Sequence, residues 1–225
     1  MSKQPLLPLI LASGYVVSLL AFRIFWTGNT TYAFLLWNLF LAWIPLSLSF
    51  AVEHISYRKI SAWMPWALTG LWILFFPNAA YILTDLGHLA RVQTWDQIPL
   101  GYDVVMLLAF ALTGLLVGFV SLWHMETIWR RFYGNRIATA CSIGAIFLSA
   151  FGIYLGRFLR WNSWDLVTRP HALISDIAVR FVSPFDHPRT WAFMMLYFSF
   201  LFMIYLTIRC WHDPLSKSNK QEERS

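Results

Sequence analysis

Six stretches of this chain are apolar over the length needed to cross a bilayer, and that constrains its fold more than any other feature. They run over residues 5–22, 31–52, 63–83, 103–123, 137–155 and 190–211. A spanning helix needs about 20 predominantly apolar residues. Inside hydrocarbon every backbone N–H and C=O must find its partner within the segment, so such stretches fold as helices. The expected fold class is therefore all-α: a polytopic bundle of six spans over 1–211, followed by a polar cytoplasmic tail at 212–225. Charge supports this. Only 12% of residues are charged, against about 25% in soluble domains. That is too little polar surface to cover a water-facing globule. Thirteen Trp and nine Tyr suit the two membrane interfaces.

Lys and Arg in the connecting loops set the expected orientation. Six spans put both termini on one side, together with Lys3, Arg58, Lys59, Arg130, Arg131, Arg136, Arg209, Lys217, Lys220 and Arg224. The opposite short loops carry Arg23 and Arg91. The termini are thus expected in the cytoplasm and the protein in the cell membrane. The last outer loop, 156–189, adds five arginines on the other side. Within it, Leu173, Ile174, Ile177, Ala178, Phe181 and Val182 recur at helical spacing, with His171, Ser175, Asp176 and Arg180 on the other face. This predicts a short interfacial helix. The first span, followed by Arg23, Phe25 and Trp26 rather than by small residues, reads as retained and not as a cleaved signal. Cys141 and Cys210 fall in apolar stretches and are expected to be buried packing residues. The net charge of +6 comes from scattered basic residues with no nucleic-acid motif, so nucleic acid is not an expected partner; membrane lipids are.

Polar residues gather in three places. In the run Phe76-Pro-Asn-Ala-Ala-Tyr-Ile-Leu-Thr-Asp-Leu-Gly-His-Leu89, the residues Asn78, Tyr81, Asp85 and His88 follow spacings of three, four and three, and so share one face of a continuing helix. Pro77 frees a carbonyl one turn back, and the Asn78 side chain is placed either to satisfy it or to cap the restarted helix. The second run is Gly156-Arg-Phe-Leu-Arg-Trp-Asn-Ser-Trp-Asp165, with Arg157, Arg160, Asn162 and Asp165. The third holds Trp95, Asp96, Tyr102 and Asp103. The topology puts all three at outer helix ends. Ionisable groups at membrane depth are costly, so they pair or line a wet cavity. Asn38 is expected to hydrogen-bond between helices, Pro45 to kink the second span, and Gly114-x-x-x-Gly118 to mark close helix packing.

The runs around Phe76–Leu89 and Gly156–Asp165, together with Asn38-Leu-Phe-Leu-Ala-Trp-Ile-Pro45, resemble a family of predicted bacterial membrane proteins, domain-of-unknown-function family 1361. The resemblance covers roughly Leu35 to Pro170. It implies a multi-pass membrane protein and brings no activity with it.

Three functions compete. The first is a non-catalytic membrane module for assembly, sensing or binding. The second is an enzyme acting at the outer face on a lipid or lipid-linked substrate. There Asp85, His88 and Asp165 would be the catalytic candidates, Asp85 and His88 possible metal ligands at i,i+3, and Asn78, Tyr81, Arg157, Arg160 and Asn162 the substrate contacts. His171 and His187 would complete a metal site only through the fold of the last loop. The third is a small transporter component built on the broken third span. A lipid-like or small-molecule ligand at the outer face is common to the first two. The motifs themselves do not name a cofactor.

Overall fold

The computed structural model describes residues 6–58, 60–91 and 98–222, with the side chains of 90–91 and 211–222 outside the description. Trp95 and Asp96 therefore lie outside the described residues. The described residues contain helices and no strand. They are α1 (Leu6–Thr27), α2 (Phe34–Arg58), α3 (Met64–Phe75), α4 (Pro77–Tyr81), a 3-10 stretch (Ile82–Arg91), α5 (Leu100–Tyr133), α6 (Asn135–Phe158), α7 (Asp165–Thr168), α8 (Pro170–Val182), a 3-10 turn (Pro184–Asp186) and α9 (Pro188–Glu222). Six helical segments are long and apolar enough to cross a membrane, with Met64–Leu89 counting as one span. The all-α polytopic bundle is as expected.

The helices outrun their apolar cores. α2 continues to Arg58 and α5 to Tyr133, about six and ten residues past the ends read from hydropathy. At 1.5 Å per residue the 34 residues of α5 reach about 51 Å, well beyond a hydrocarbon layer of about 30 Å. The α9 helix likewise runs on to Glu222, past the expected boundary at 211. Short connections alternate between the two ends of the bundle. The end carrying both termini is here the terminal end, and the other the distal end.

α5 is the centre. In its apolar window 56% of residues are buried, against 22% in α1 and 17% in α9, so those two helices are peripheral. The third span is wedged between α2, α5 and α6. Its fit depends on missing side chains. A methyl at Gly114 would lie 2.7 Å from the Ala79 carbonyl oxygen, and one at Gly118 2.7 Å from Ala79 Cβ. On the other flank a methyl at Gly152 would lie 2.6 Å from Pro77 Cγ. The Gly114-x-x-x-Gly118 motif is thus a seat for α4, as close packing in membranes requires. Cys141 and Cys210 are exposed on the bundle surface, contrary to the expected burial. A small apolar side chain is as compatible with a lipid-facing surface as with a core, so residue type alone does not place it.

Candidate ligand-binding site

Pro77 has no N–H and interrupts the helical ladder where α3 gives way to α4. The Asn78 amide donates at 2.9 Å to the Phe75 carbonyl, not to the one a full turn before Pro77. A second donor was not foreseen: Ser163 Oγ, 85 residues away, accepts from Asn78 at 3.2 Å and donates to the Leu74 carbonyl at 3.2 Å. The loop after α6 therefore closes the broken span. Past Tyr81 the chain tightens into the 3-10 stretch, which turns Asp85 inward to 2% exposure.

Asp85 is held from three directions. Asn38 Nδ2 on α2 donates to its Oδ2 at 2.8 Å. Arg157 Nη1 on α6 lies 3.8 Å from Oδ1, and His88 Nε2 3.9 Å from the same oxygen. The His88 ring also packs against Phe34 at 5.0 Å between centroids. Asn38 is the expected interhelical hydrogen-bonding residue, and Asp85 with Arg157 is an ion pair joining the third span to α6. Among the described residues no three His, Cys, Asp or Glu side chains gather closely enough to hold a metal.

Beside this group a cavity of about 340 Å³ opens between α2, the third span, α6, the 159–164 segment and α8. Its polar lining is Asn38, Asn78, Tyr81, Arg160, Asn162 and Ser163. The expected contacts Asn78, Tyr81, Arg160 and Asn162 are thus brought together. Arg157 is not among the lining residues; it turns to Asp85. Apolar walls come from Trp37, Leu41, Pro77, Leu155, Trp164 and Leu173. Trp37 and Trp164 are exposed and meet edge to face, 6.5 Å between centroids.

Arg160 differs from its neighbours. It has φ +59, the left-handed region. Leu159 N–H and Trp161 N–H both donate to the Leu155 carbonyl, at 3.2 and 3.1 Å. A left-handed residue just past a helix end is a place that glycine ordinarily takes. The guanidinium makes no ion pair or side-chain hydrogen bond among the described residues.

The other candidates are dispersed. Asp165 starts α7 and is occupied by its own loop: its Oδ2 takes the Asn162 N–H at 2.8 Å, and its Oδ1 takes Arg169 at 3.0 Å and Thr168 at 3.2 Å. The Asn162 backbone bond foremost, aided by Arg169 and Thr168 and opposed by burial, holds its carboxyl below the ordinary 3.8. Asp103 sits apart, gripped by Arg23 of α1 through bonds of 2.7 and 3.1 Å. The predicted interfacial helix is α8. It turns Leu173 and Arg180 inward, holds the partly exposed Asp176 by a 2.8 Å bond from Trp161 Nε1, and leaves Ile174 and Val182 exposed.

Two polar groups near the terminal end escaped the sequence reading. Glu126, 1% exposed, accepts from Arg130 (2.8 Å), Ser142 (3.0 Å), Tyr205 (2.9 Å) and Arg209 (3.3 Å), tying α5, α6 and α9 together. His124 joins Ser49 (2.9 Å) and Glu53 (3.0 Å) of α2. Ser49 is wholly buried and within 2.7 Å of the Leu46 carbonyl, so this serine–histidine–carboxylate row has no room for a reacting carbonyl. Their ionisable centres, Glu53, His124 and Glu126, lie just beyond the ends assigned to the apolar stretches. The i,i+4 spacing of Glu126 and Arg130 was the available signal.

No curated protein and no solved structure matches the chain. Residues 37–204 match the model of a family described as a protein of unknown function, DUF1361, and the match embraces five of the six spans, the cavity and both polar runs. The chain belongs to that family.

Proposed function

We propose that this integral membrane protein is a non-catalytic module that binds a small or lipid-like ligand in the distal cavity. The observation that carries the reading is a division of labour among polar groups. Tyr81 and Arg160 line the cavity with no side-chain hydrogen bond among the described residues, whereas the acids expected to do chemistry are spent on the fold: Asp85 on Asn38 and Arg157, Asp165 on its own loop. A general acid or base needs a free position within reach of its substrate. A cavity of about 340 Å³ falls within the range of small-molecule sites, roughly 300–1,000 Å³.

The test is extraction. Protein purified in a non-ionic detergent is expected to carry a stoichiometric ligand, seen by native mass spectrometry, and Leu173→Trp, which fills the cavity, should lose it. Equal retention by the variant would overturn the placement. Chemical turnover of the extracted material by the protein would overturn the non-catalytic reading.

The same proposal sets the distal end outside the cell membrane and both termini in the cytoplasm, with residues 1–211 as one bundle and 212–225 as its tail. Its support is the basic excess at the terminal end, Arg58, Arg130, Arg131, Arg136 and Arg209 among others. With Cys141 and Cys210 replaced by serine, Asn29→Cys should react with an impermeant maleimide in intact cells and Asn135→Cys should not. The reverse pattern would invert the orientation.

A further inference from the structure

Resting on that binding reading, we propose that the ligand of the distal cavity is an amphiphile with an oxyanion head, a phosphate or carboxylate, and that Arg160 selects it. Three of the arginines in the 156–189 loop are matched by carboxylates. Arg157 is matched by Asp85, Arg169 by Asp165 and Arg180 by Asp176. Arg160 alone among these four lines the cavity and lacks a carboxylate partner among the described residues. One uncompensated positive charge is left at the edge of a largely apolar space, which calls for one negative charge from outside the chain.

The donors fit an oxyanion better than a neutral polar group. A guanidinium presents paired N–H groups that match the two oxygens of a phosphate or carboxylate. Tyr81 adds a hydroxyl that makes no hydrogen bond among the described residues. The lining amides are already engaged: Asn38 donates to Asp85, Asn78 to Phe75 and, at 3.4 Å, Asn162 to Asp165. The backbone at Arg160 adds to this. In the left-handed conformation a side chain costs energy that glycine avoids. The arginine brings its guanidinium to this place in return.

The walls argue for a chain behind the head. Leu41, Pro77, Leu155 and Leu173 offer no hydrogen bonds to a free inorganic ion, and the Trp37 and Trp164 rings add apolar faces beside them. The exposed indoles of Trp37 and Trp164 border the cavity on the bundle surface, where an acyl or polyprenyl chain passes into the bilayer.

The experiment is a titration of the purified full-length protein in a non-ionic detergent with three probes: dioctanoyl phosphatidic acid, dioctanoylglycerol with the same chains and no charge, and inorganic phosphate. Phosphatidic acid is expected to bind one per chain, tenfold or more tighter than dioctanoylglycerol, and phosphate alone weaker than either. Loss of a charge-assisted pair in Arg160→Gly should weaken phosphatidic acid by roughly 10- to 100-fold. Dioctanoylglycerol binding and the thermal midpoint should not fall. Arg189→Gln, which removes an exposed arginine of the same loop that does not line the cavity, should change nothing. Equal binding of the charged and neutral lipids would overturn anion selection while leaving the cavity reading intact. Binding of neither would overturn the cavity reading itself. Phosphate binding as tight as the lipid would overturn the amphiphile. Equal losses in Arg160→Gly and Arg189→Gln would reduce the effect to diffuse surface charge and overturn the role of Arg160.

Discussion

Gly144 and Gly152 lie two turns apart inside α6, and the same substitution should stabilise the first and not the second. Alanine at either gains helix propensity of about 1 kcal/mol over glycine. At Gly144 nothing stands within 4 Å of the new methyl, so that gain is the whole effect. At Gly152 the methyl would lie 2.6 Å from Pro77 Cγ and 2.9 Å from Pro77 Cβ. The proline ring is rigid, and α2 and α5 pack against the span that carries it, so neither side yields easily. Overpacking of this kind costs about 1–3 kcal/mol. Subtracting the two variants cancels the propensity term, along with any helix retained in the unfolded state in detergent. The difference, Gly152→Ala less stable than Gly144→Ala by about 1–3 kcal/mol, is the overpacking alone. Reversible unfolding in mixed micelles by added SDS, followed by Trp fluorescence, measures it. A double-mutant cycle with Pro77→Ala should show coupling, because the two side chains touch. Equal stabilities within about 0.5 kcal/mol, or no coupling with Pro77, would refute the wedged third span.

Glu126→Ala should be strongly destabilising, by about 3–5 kcal/mol, because it strands Arg209, Tyr205 and Ser142 without their acceptor, and Glu126→Gln should lose less; SDS unfolding reads both, and a neutral Glu126→Ala would show that α5, α6 and α9 hold together without it. Arg160→Gly should raise stability by about 0.5–1 kcal/mol, since relief of the left-handed strain exceeds the added freedom of the unfolded chain; a fall in thermal midpoint would mean the guanidinium is structural. The depressed pKa of Asp165 gives a stabilisation that is complete above its unfolded value near 3.8 and fades as pH falls through the lower folded value. The gap in resistance of the 159–187 segment to proteolysis between wild type and Asp165→Asn should be flat above about pH 5 and shrink below about pH 4. A gap that stays constant down to pH 2 would remove this role.

The spans were legible because hydropathy over twenty residues sums many small transfer terms, and no local rearrangement reverses the sum. Their ends were not. Glu53, His124 and Glu126 lower hydropathy just where α2 and α5 continue, so the apolar stretches stop at 52 and 123 while the helices reach Arg58 and Tyr133. Helical spacing grouped Asn78, Tyr81, Asp85 and His88 correctly up to Tyr81. Beyond it the 3-10 stretch changes the pitch, and Asp85 turns to Asn38 and Arg157 while Asn78 and Tyr81 line the cavity. The pairing of Asp103 with Arg23 crosses 80 residues, and nothing in the local sequence of either residue announces it. Ser163 reached the Leu74 carbonyl only because the loop after α6 folds back, which no periodicity encodes.

The bundle treats its buried charges in two ways, and the difference decides where a ligand can act. Around Glu126 four donors converge on two oxygens, and Arg23 fills both oxygens of Asp103. A ligand reaching either carboxylate would first have to break a buried, charge-assisted bond, at about 1.5–3 kcal/mol each, before gaining anything. At the distal cavity an anion meeting Arg160 breaks no bond of the fold and moves no charge out of a pair. Asn38 stands between the two regimes. It lines the cavity while its amide holds Asp85, and Asp85 in turn holds Arg157 at the end of α6. Occupation of the cavity therefore bears directly on the residue that fastens α2 to the third span, so a ligand that engages the Asn38 amide must compete with the Asp85 clamp, whereas one that stops at Arg160 and Tyr81 leaves it closed.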